Sequence, residues 1–307
     1  MSVHSHVRTR TGLLAVSGGA LLWGTTGVAV SIIHDRSGLS AVTIGWYRVA
    51  IAAVVVAAVL HRRLRPAFHA VRRHPIALLV SGAGFGAYQA LYFVGVQDVG
   101  VSVSTLVSLG VAPVALAAGA AVARRRVPPV GSLAVLACAV VGLALVSLRP
   151  GSGVGAPHPL VGVLASIASG LGYAAITVLS RRMSTLDPLV LTGVTSTIAA
   201  LVLLPFAVAS GLAGPHDAIS AGWLGYIGVV PTVAAYWLFY RGLRTTPSEV
   251  AGVLTLLEPL TAAVLAAIVV HESLSARGVV GGLLMLVAVA ALYVRRPTPD
   301  ITEVPPP

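Results

Sequence analysis

Long apolar runs, separated by short polar segments, follow one another along the whole chain. Each run has the length of a helix that crosses a hydrocarbon core of about 30 Å, and an open strand could not satisfy its backbone polar groups in lipid. The pattern predicts an all-α polytopic membrane protein with ten transmembrane helices. They are numbered span 1 to span 10 and lie at residues 12–33, 41–60, 75–96, 101–123, 130–148, 159–180, 188–210, 221–240, 248–270 and 278–294.

The composition excludes the soluble classes of protein. Hydrophobic residues make up 57% of the 307 residues and charged residues only 9%, whereas about 25% are charged in an ordinary soluble domain. A soluble protein of this size could not bury so much apolar side chain, because over half of its surface must face water. A soluble globular enzyme and a disordered chain are therefore both excluded.

Residues that usually bind metals or catalyse reactions are scarce. The single cysteine, Cys138, excludes an internal disulfide and a thiolate cluster. None of the nine histidines lies within a predicted span, and the chain has no lysine for a phosphate-binding loop. We expect no enzyme activity, no metal and no cofactor.

The positively charged residues lie mainly in the loops between the predicted spans. The net charge is +11, but the arginines form short clusters between apolar runs, which argues against a nucleic-acid partner. With the N-terminus inside, sixteen arginines fall on the inner side and only three, Arg36, Arg149 and Arg277, on the outer side. Because positive residues prefer cytoplasmic loops, we expect a cell-membrane protein with both termini in the cytoplasm.

The two halves of the chain resemble each other. Three short matches occur in order at offsets of 150, 147 and 146, pairing residues 12–15 with 162–165, 91–97 with 238–244, and 111–113 with 257–259. They predict two five-helix repeats, residues 1–148 and 159–294, joined by a connecting loop at 149–158 and followed by a disordered cytoplasmic tail at 295–307. Because each repeat has an odd number of spans, the second copy must enter the membrane from the opposite face. Such inverted repeats are typical of alternating-access transporters.

Short motifs in three spans resemble a known family. Trp23-Gly24 in span 1, Tyr47-Arg48 in span 2 and Leu257–Ala263 (LEPLTAA) in span 9 are similar to the EamA-type permeases of the drug/metabolite transporter superfamily. The resemblance covers both five-helix repeats. It implies export of small metabolites or drugs by alternating access, and it does not name one substrate.

Glu258 and Arg48 are the two charged residues that lie away from the ends of their predicted spans. Glu258 lies near the centre of span 9, where a carboxylate costs at least ~2.5–3.5 kcal/mol. It must face a cavity, find a cation or stay protonated, so we expect it to bind substrate or protons, or else to lock two helices together. Arg48, in span 2, can pair with Glu258, bind substrate, snorkel to the outer interface or cap backbone carbonyls.

Other candidate solute contacts lie at similar depths. Pro113 and Pro259 are expected to kink spans 4 and 9 and to free the carbonyls of Leu109 and Thr255. Aromatic and polar side chains are expected to line a central cavity for an amphipathic organic molecule, or otherwise to pack helices; they are Trp23, Tyr88, Gln89, Tyr92, Ser108, Tyr173 and Thr255. Tyr236 and Tyr240 are interpreted as part of an aromatic belt at the inner membrane surface.

The sequence therefore favours a secondary transporter, with a small-molecule solute, the lipid bilayer and protons as partners. Two alternatives stay open at this point, a membrane sensor or scaffold that transports nothing and a passive channel. Solute flux into liposomes that contain only this protein would exclude the sensor or scaffold. Flux that does not saturate would identify a passive channel.

Overall fold

The computed structural model describes residues 3–61, 71–148, 158–269 and 275–294, with side chains from Arg10 onward. Among these residues, nine helical segments are long and apolar enough to cross a membrane. The predicted tail at 295–307 lies outside the described residues, as does the predicted connecting loop up to residue 157. The nine segments are Arg10–Ser37, Ala41–Leu60, Pro75–Arg124, Val130–Ser147, Pro159–Arg182, Pro188–Ala209, Ala218–Leu243, Ser248–Val269 and Ala276–Val294.

The longest segment, Pro75–Arg124, contains both span 3 and span 4 and reverses at Gly100. Gly100 has φ 81° and ψ 162°, a conformation that only glycine adopts readily. The hydroxyls of Tyr92 and Thr105 lie 2.8 Å apart, although residues thirteen apart in a straight helix are separated by about 20 Å. The chain therefore folds back on itself at Gly100. The total of ten membrane crossings stays a prediction.

Polar residues and prolines mark where several spans begin. Ser40 accepts a hydrogen bond from the Thr43 N–H at 3.1 Å before span 2, and Asp187 accepts one from the Leu189 N–H at 2.8 Å before span 7. These caps satisfy amide groups that have no partner inside the helix. Pro75, Pro159 and Pro188 occupy the first turns of their helices, where no backbone donor is lost.

Three spans are irregular near their middle. Span 1 consists of Val3–Gly24 and Thr26–Ser37, span 8 contains a π-helical turn at Val229–Ala234, and span 9 consists of Ser248–Leu254 and Leu257–Val269. The break in span 9 lies where the ring of Pro259 would clash with the preceding turn. The backbone stays helical on both sides of Pro113, so span 4 has no such break.

One expectation about these prolines is corrected. The carbonyl of Thr255, which was expected to be free, accepts the Glu258 N–H at 3.0 Å. The tight turn at the break thus satisfies the group that Pro259 leaves without its usual donor.

Glycines let spans from opposite halves of the chain approach closely. A Cβ placed on Gly12 in span 1 would lie 3.2 Å from the Gly242 carbonyl oxygen in span 8. A Cβ placed on Gly95 in span 3 would lie 3.3 Å from the Gly162 carbonyl oxygen in span 6. The sequence matches pair Gly12 with Gly162 and Gly95 with Gly242, so each half packs on the other through equivalent residues.

The remaining spans also pair across the two halves. A Cβ on Gly142 in span 5 would lie 2.7 Å from the Gly281 carbonyl oxygen in span 10, and one on Gly252 in span 9 would lie 3.3 Å from Cα of Pro113 in span 4. The indole N–H of Trp46 in span 2 donates to the Ala200 carbonyl in span 7 at 3.1 Å. Small residues commonly permit such close helix packing in membranes. The core of the molecule thus lies where the two halves meet.

Candidate functional site

Seven aromatic rings from spans 1, 3, 6 and 8 pack together where the halves meet. The ring centroids lie 4.9 Å apart for Trp23 and Tyr236, 4.8 Å for Phe85 and Tyr236, and 5.6 Å for Tyr88 and Tyr173. These separations suit the offset and edge-to-face contacts that aromatic rings prefer. We call this group the aromatic cluster; its members are Trp23, Phe85, Tyr88, Tyr173, Tyr236, Phe239 and Tyr240.

The assignment of Tyr236 and Tyr240 to an interfacial belt was wrong. Their exposed fractions are only 7% and 4%, and both rings pack inside the aromatic cluster. Tyr236, Phe239 and Tyr240 share one helical face by their spacing of three and four residues, and this signal could have placed them in the core. Trp237 lies on another face, with the Arg241 guanidinium 5.2 Å from its ring.

Arg48 points into the bundle and bonds to Gln89. One guanidinium nitrogen donates to the Gln89 side-chain oxygen, which joins span 2 to span 3. Gln89 is 5% exposed, so this contact holds the arginine inside the protein rather than at the outer interface. The pair was not foreseen, because the two residues are far apart in sequence and only the folded chain brings them together.

Buried donors near this pair have no partner. The Nε of Arg48, the amide nitrogen of Gln89 and the indole nitrogen of Trp23 form no hydrogen bond within the part of the chain that the structure describes. The hydroxyls of Tyr88 and Tyr236, in contrast, bond to each other at 2.9 Å. A polar patch with spare donors therefore borders the aromatic cluster.

Glu258 lies in the first turn of the second helix of span 9, and it is partly buried. Its carboxylate forms no ion pair within 4 Å and no hydrogen bond among the described residues, although Arg48 lies within electrostatic range. A Cβ on Gly24 would lie 2.7 Å from the Glu258 carbonyl oxygen. Gly24 thus lets span 1 approach the break in span 9, while its neighbour Trp23 reaches the aromatic cluster.

The hydroxyl groups of three other candidate residues form hydrogen bonds within or close to their own helices. The Tyr92 hydroxyl meets Thr105 across the turn at Gly100. Ser108 donates to the Ser104 carbonyl, and Thr255 donates to the Gly252 carbonyl at 2.9 Å. These bonds fit a role in helix packing, and contact with a solute stays a prediction for all three residues.

The space inside the aromatic cluster is nearly closed. Its volume is about 10 Å³, no more than a water molecule occupies, so among the described residues this part of the expected central cavity is closed in this conformation. A larger cavity of about 540 Å³ lies between spans 1, 8 and 9 at the end of the bundle that the arginine pattern predicts to be extracellular. We call it the outer cavity; Thr25, Val28, Ile32, Trp223, Tyr226 and Leu265 are among the residues that line it.

Ion pairs join spans at both ends of the bundle. Arg36 and Asp217 approach to 3.4 Å between spans 1 and 8, and Arg124 and Glu249 to 2.8 Å between spans 4 and 9. Hydrogen bonds from the Ser220 hydroxyl and backbone, together with Arg36, hold the pKa of the Asp217 carboxyl below its usual value. In the described ranges, no group of three His, Cys, Asp or Glu side chains is placed to hold a metal ion.

A multi-pass helical bundle whose halves enclose buried polar and aromatic side chains is compatible with a membrane transporter. Comparison with known families agrees: residues 10–148 and 160–294 each match the EamA-like transporter family, and the chain belongs to this family. The protein is a multi-pass membrane transporter.

Two bacterial proteins that resemble the chain over most of its length are also transporters by name. The chain is 29% identical to the uncharacterized transporter YwfM of Bacillus subtilis, covering 89% of this chain and 90% of the relative. It is 25% identical to the uncharacterized inner membrane transporter YicL of Salmonella typhimurium, and the match covers 92% of this chain and 94% of the relative. The fold also resembles that of a protein of known crystal structure, with a TM-score of 0.79 and 20% sequence identity. The match covers 92% of this chain and 96% of the other chain, and it supports the fold alone.

Proposed function

We propose that the protein is a secondary transporter that moves a small organic solute out of the cell by alternating access. The solute site is formed by Arg48, Gln89, Glu258 and the aromatic cluster. The observation that supports this site is the set of buried donors without partners beside Arg48, because native proteins rarely leave buried polar groups unpaired without a reason.

The pairing of spans supports alternating access. Each half packs on the other through equivalent glycines, so the two halves can exchange slightly different conformations. Such an exchange closes one end of the bundle as it opens the other. The closed space in the aromatic cluster and the open outer cavity fit one state of this cycle.

We assign Glu258 the role of proton site. Its carboxylate has no hydrogen bond or ion pair among the described residues, and the charges and hydroxyls within electrostatic range are those of Arg48, Tyr92 and Tyr173. A carboxyl in such a place can change its charge state when the solute or water reaches it. Solute movement would then depend on pH.

Flux from proteoliposomes tests the function. Liposomes that contain only this protein are loaded with a bacterial metabolite extract, and mass spectrometry follows the solutes that leave. We expect at least one organic solute to leave faster than from protein-free liposomes, with saturation and with acceleration by the same solute outside. Absence of any faster solute would refute transport and favour a sensor or scaffold, whereas flux without saturation or acceleration would indicate a channel.

The role of Glu258 is tested by the variant Glu258→Gln in the same assay. We expect its flux to lose the pH dependence of the wild type. Glu249→Gln is the matched control, because Glu249 forms a partly exposed ion pair with Arg124 at the end of span 4. Flux of Glu258→Gln that matched the wild type at every pH would refute the proton role and leave transport intact.

A further inference from the structure

Three buried N–H groups beside the aromatic cluster share one property, which is that they can only donate. They are the Nε of Arg48, the amide nitrogen of Gln89 and the indole nitrogen of Trp23, and none of them has an acceptor within the described part of the chain. Trp23 and Gln89 are each 5% exposed. These donors are therefore available to an acceptor that arrives from outside the protein.

The three donors belong to one neighbourhood. Arg48 bonds directly to Gln89. Trp23 packs on the ring of Tyr236 at 4.9 Å, and the Tyr236 hydroxyl bonds to Tyr88, the residue before Gln89. The charge of Arg48 also acts on the hydroxyls of both tyrosines. A group that binds Arg48 therefore also lies beside Gln89, and Trp23 is connected to this pair through Tyr236 and Tyr88.

The charge of Arg48 favours an anion as the acceptor when Glu258, the carboxyl within electrostatic range, is protonated. Arg48 is permanently charged, and it has no carboxylate within 4 Å among the described side chains. A guanidinium binds the two oxygens of a carboxylate through neighbouring N–H groups, and Nε is one of these. A doubly charged phosphate fits less well, because the site offers a single arginine and aromatic walls that cannot solvate a second charge.

The aromatic side chains around the site indicate which chemical groups the rest of the solute carries. Six rings of the aromatic cluster, all except that of Trp23, line a space of about 10 Å³, so the rings must move apart to admit a molecule. Once apart, they offer flat apolar surfaces rather than further hydrogen-bonding groups, apart from the tyrosine hydroxyls. These surfaces match an aromatic or aliphatic body.

We propose that the transported solute is a small organic carboxylate with an apolar body, whose carboxylate binds Arg48, Gln89 and Trp23. This inference rests on the proposed transport function and names the class of solute. It assigns the buried donors of spans 1, 2 and 3 to one ligand group.

Binding of matched probe pairs tests the carboxylate. Calorimetric titration of the protein in lipid nanodiscs compares phenylacetate with phenylacetamide, and hexanoate with hexanamide. Within each pair the apolar body stays the same and a charged carboxylate is replaced by a neutral amide. We expect at least one carboxylate to bind, with a Kd at least about tenfold lower than that of its amide, because hydrogen bonds to charged groups are the stronger ones.

Two variants connect the binding to the named donors. Trp23→Phe keeps an aromatic ring but removes the N–H, and Arg48→Lys keeps the charge but removes the guanidinium. Each should raise the Kd of the bound carboxylate by about tenfold or more, and should raise the Kd of the amide by a smaller factor, because a neutral carbonyl forms the weaker hydrogen bonds. Trp237→Phe makes the same change as Trp23→Phe outside the aromatic cluster, and should bind as the wild type does. Thermal unfolding confirms that each variant is folded.

The outcomes separate this inference from the proposed function. If no carboxylate binds, or if the amides bind equally well, the carboxylate site is refuted, even where the liposome assay finds other solutes transported. Unchanged carboxylate binding in folded Trp23→Phe and Arg48→Lys would also refute it. If the liposomes release nothing faster than the protein-free control, the transport function itself fails, whatever the titrations give.

Discussion

The contact between spans 5 and 10 is close enough for a single methyl group to disturb it. A Cβ on Gly142 would lie 2.7 Å from both the Gly281 carbonyl oxygen and Met285 Cγ, and 3.0 Å from the Met285 backbone nitrogen, whereas ordinary Cβ contacts begin at 3.4 Å. Two of these three neighbours are backbone atoms, so no change of rotamer can move them away. The variant Gly142→Ala must push the two helices apart by several tenths of an ångström.

The free-energy cost follows from this overlap. Extra methyl groups forced into a well-packed core cost about 1–3 kcal/mol. The usual gain in helix propensity from glycine to alanine contributes little here, because separated spans stay helical in lipid. A change of about 1–3 kcal/mol corresponds to a change of about 5- to 150-fold in the population of the open interface.

The chain provides its own reporter for this interface. Cys138, the single cysteine, lies one turn before Gly142, and its thiol donates to the Leu284 carbonyl in span 10 at 3.3 Å. Cys138 is already partly exposed, and opening of the interface exposes its thiol further. The rate of its reaction with a maleimide should therefore rise in Gly142→Ala, by at most about 5- to 150-fold, as long as closing outpaces labelling.

The matched control is Gly119→Ala in span 4, where a Cβ would have no neighbour within 4 Å. This variant should label at the wild-type rate within about twofold, since surface changes away from such contacts cost less than about 0.5 kcal/mol. If Gly142→Ala labelled as slowly as the wild type and Gly119→Ala, the close packing of spans 5 and 10 described above would be wrong.

Three further predictions concern other parts of the fold. Tyr236→Phe should destabilise the protein by about 1–3 kcal/mol, because it leaves the buried Tyr88 hydroxyl unpaired, and adding Tyr88→Phe should recover part of this loss in a double-mutant cycle of unfolding free energies. Gly100→Ala should cost about 1–3 kcal/mol for its backbone strain, and Gly27→Ala, which meets nothing within 4 Å, should be close to neutral; equal thermal unfolding of the two would contradict the reversal at Gly100. Asp217 has a lowered pKa when folded, so its stabilising contribution is present above the ordinary value of 3.8 and is lost as the pH falls below it. Asp217→Ala should therefore lower the unfolding temperature at neutral pH, and the difference from wild type should shrink in acid; a difference that grew in acid would refute the assignment.

The sequence predicts the helices well, because lipid requires long uninterrupted apolar runs. Spans 2, 5, 7 and 10 begin and end within two residues of the predicted limits. The separation of spans 3 and 4 near Gly100 was also anticipated, because the short segment that contains Gln97 and Asp98 divides two apolar runs. Span 1 extends to Ser37 instead of residue 33, because the charged end of a helix can continue beyond the hydrocarbon into water and apolar runs do not reveal this part.

The candidate site was predicted less completely, since it depends on contacts between distant residues. The stripes that contain Trp23, Tyr88 and Tyr173 indicated three members of the aromatic cluster. Tyr236 and Tyr240 were misplaced because distance from the end of a span suggests an interface, and burial depends on which face meets a neighbour. The bond between Arg48 and Gln89 joins separate spans, so no local pattern could reveal it.

The crossed pairing of glycines also has a consequence for biogenesis. Gly12 packs beside Gly242, and Gly95 beside Gly162, so the first helices to leave the ribosome find their lasting neighbours only after most of the chain has been made. Until then, the glycine-lined faces of the early helices are exposed to lipid or to an insertion chaperone. Each half therefore needs the other half to complete its packing. An amino-terminal half that is expressed alone should be degraded unless the carboxyl-terminal half is synthesised in the same cell.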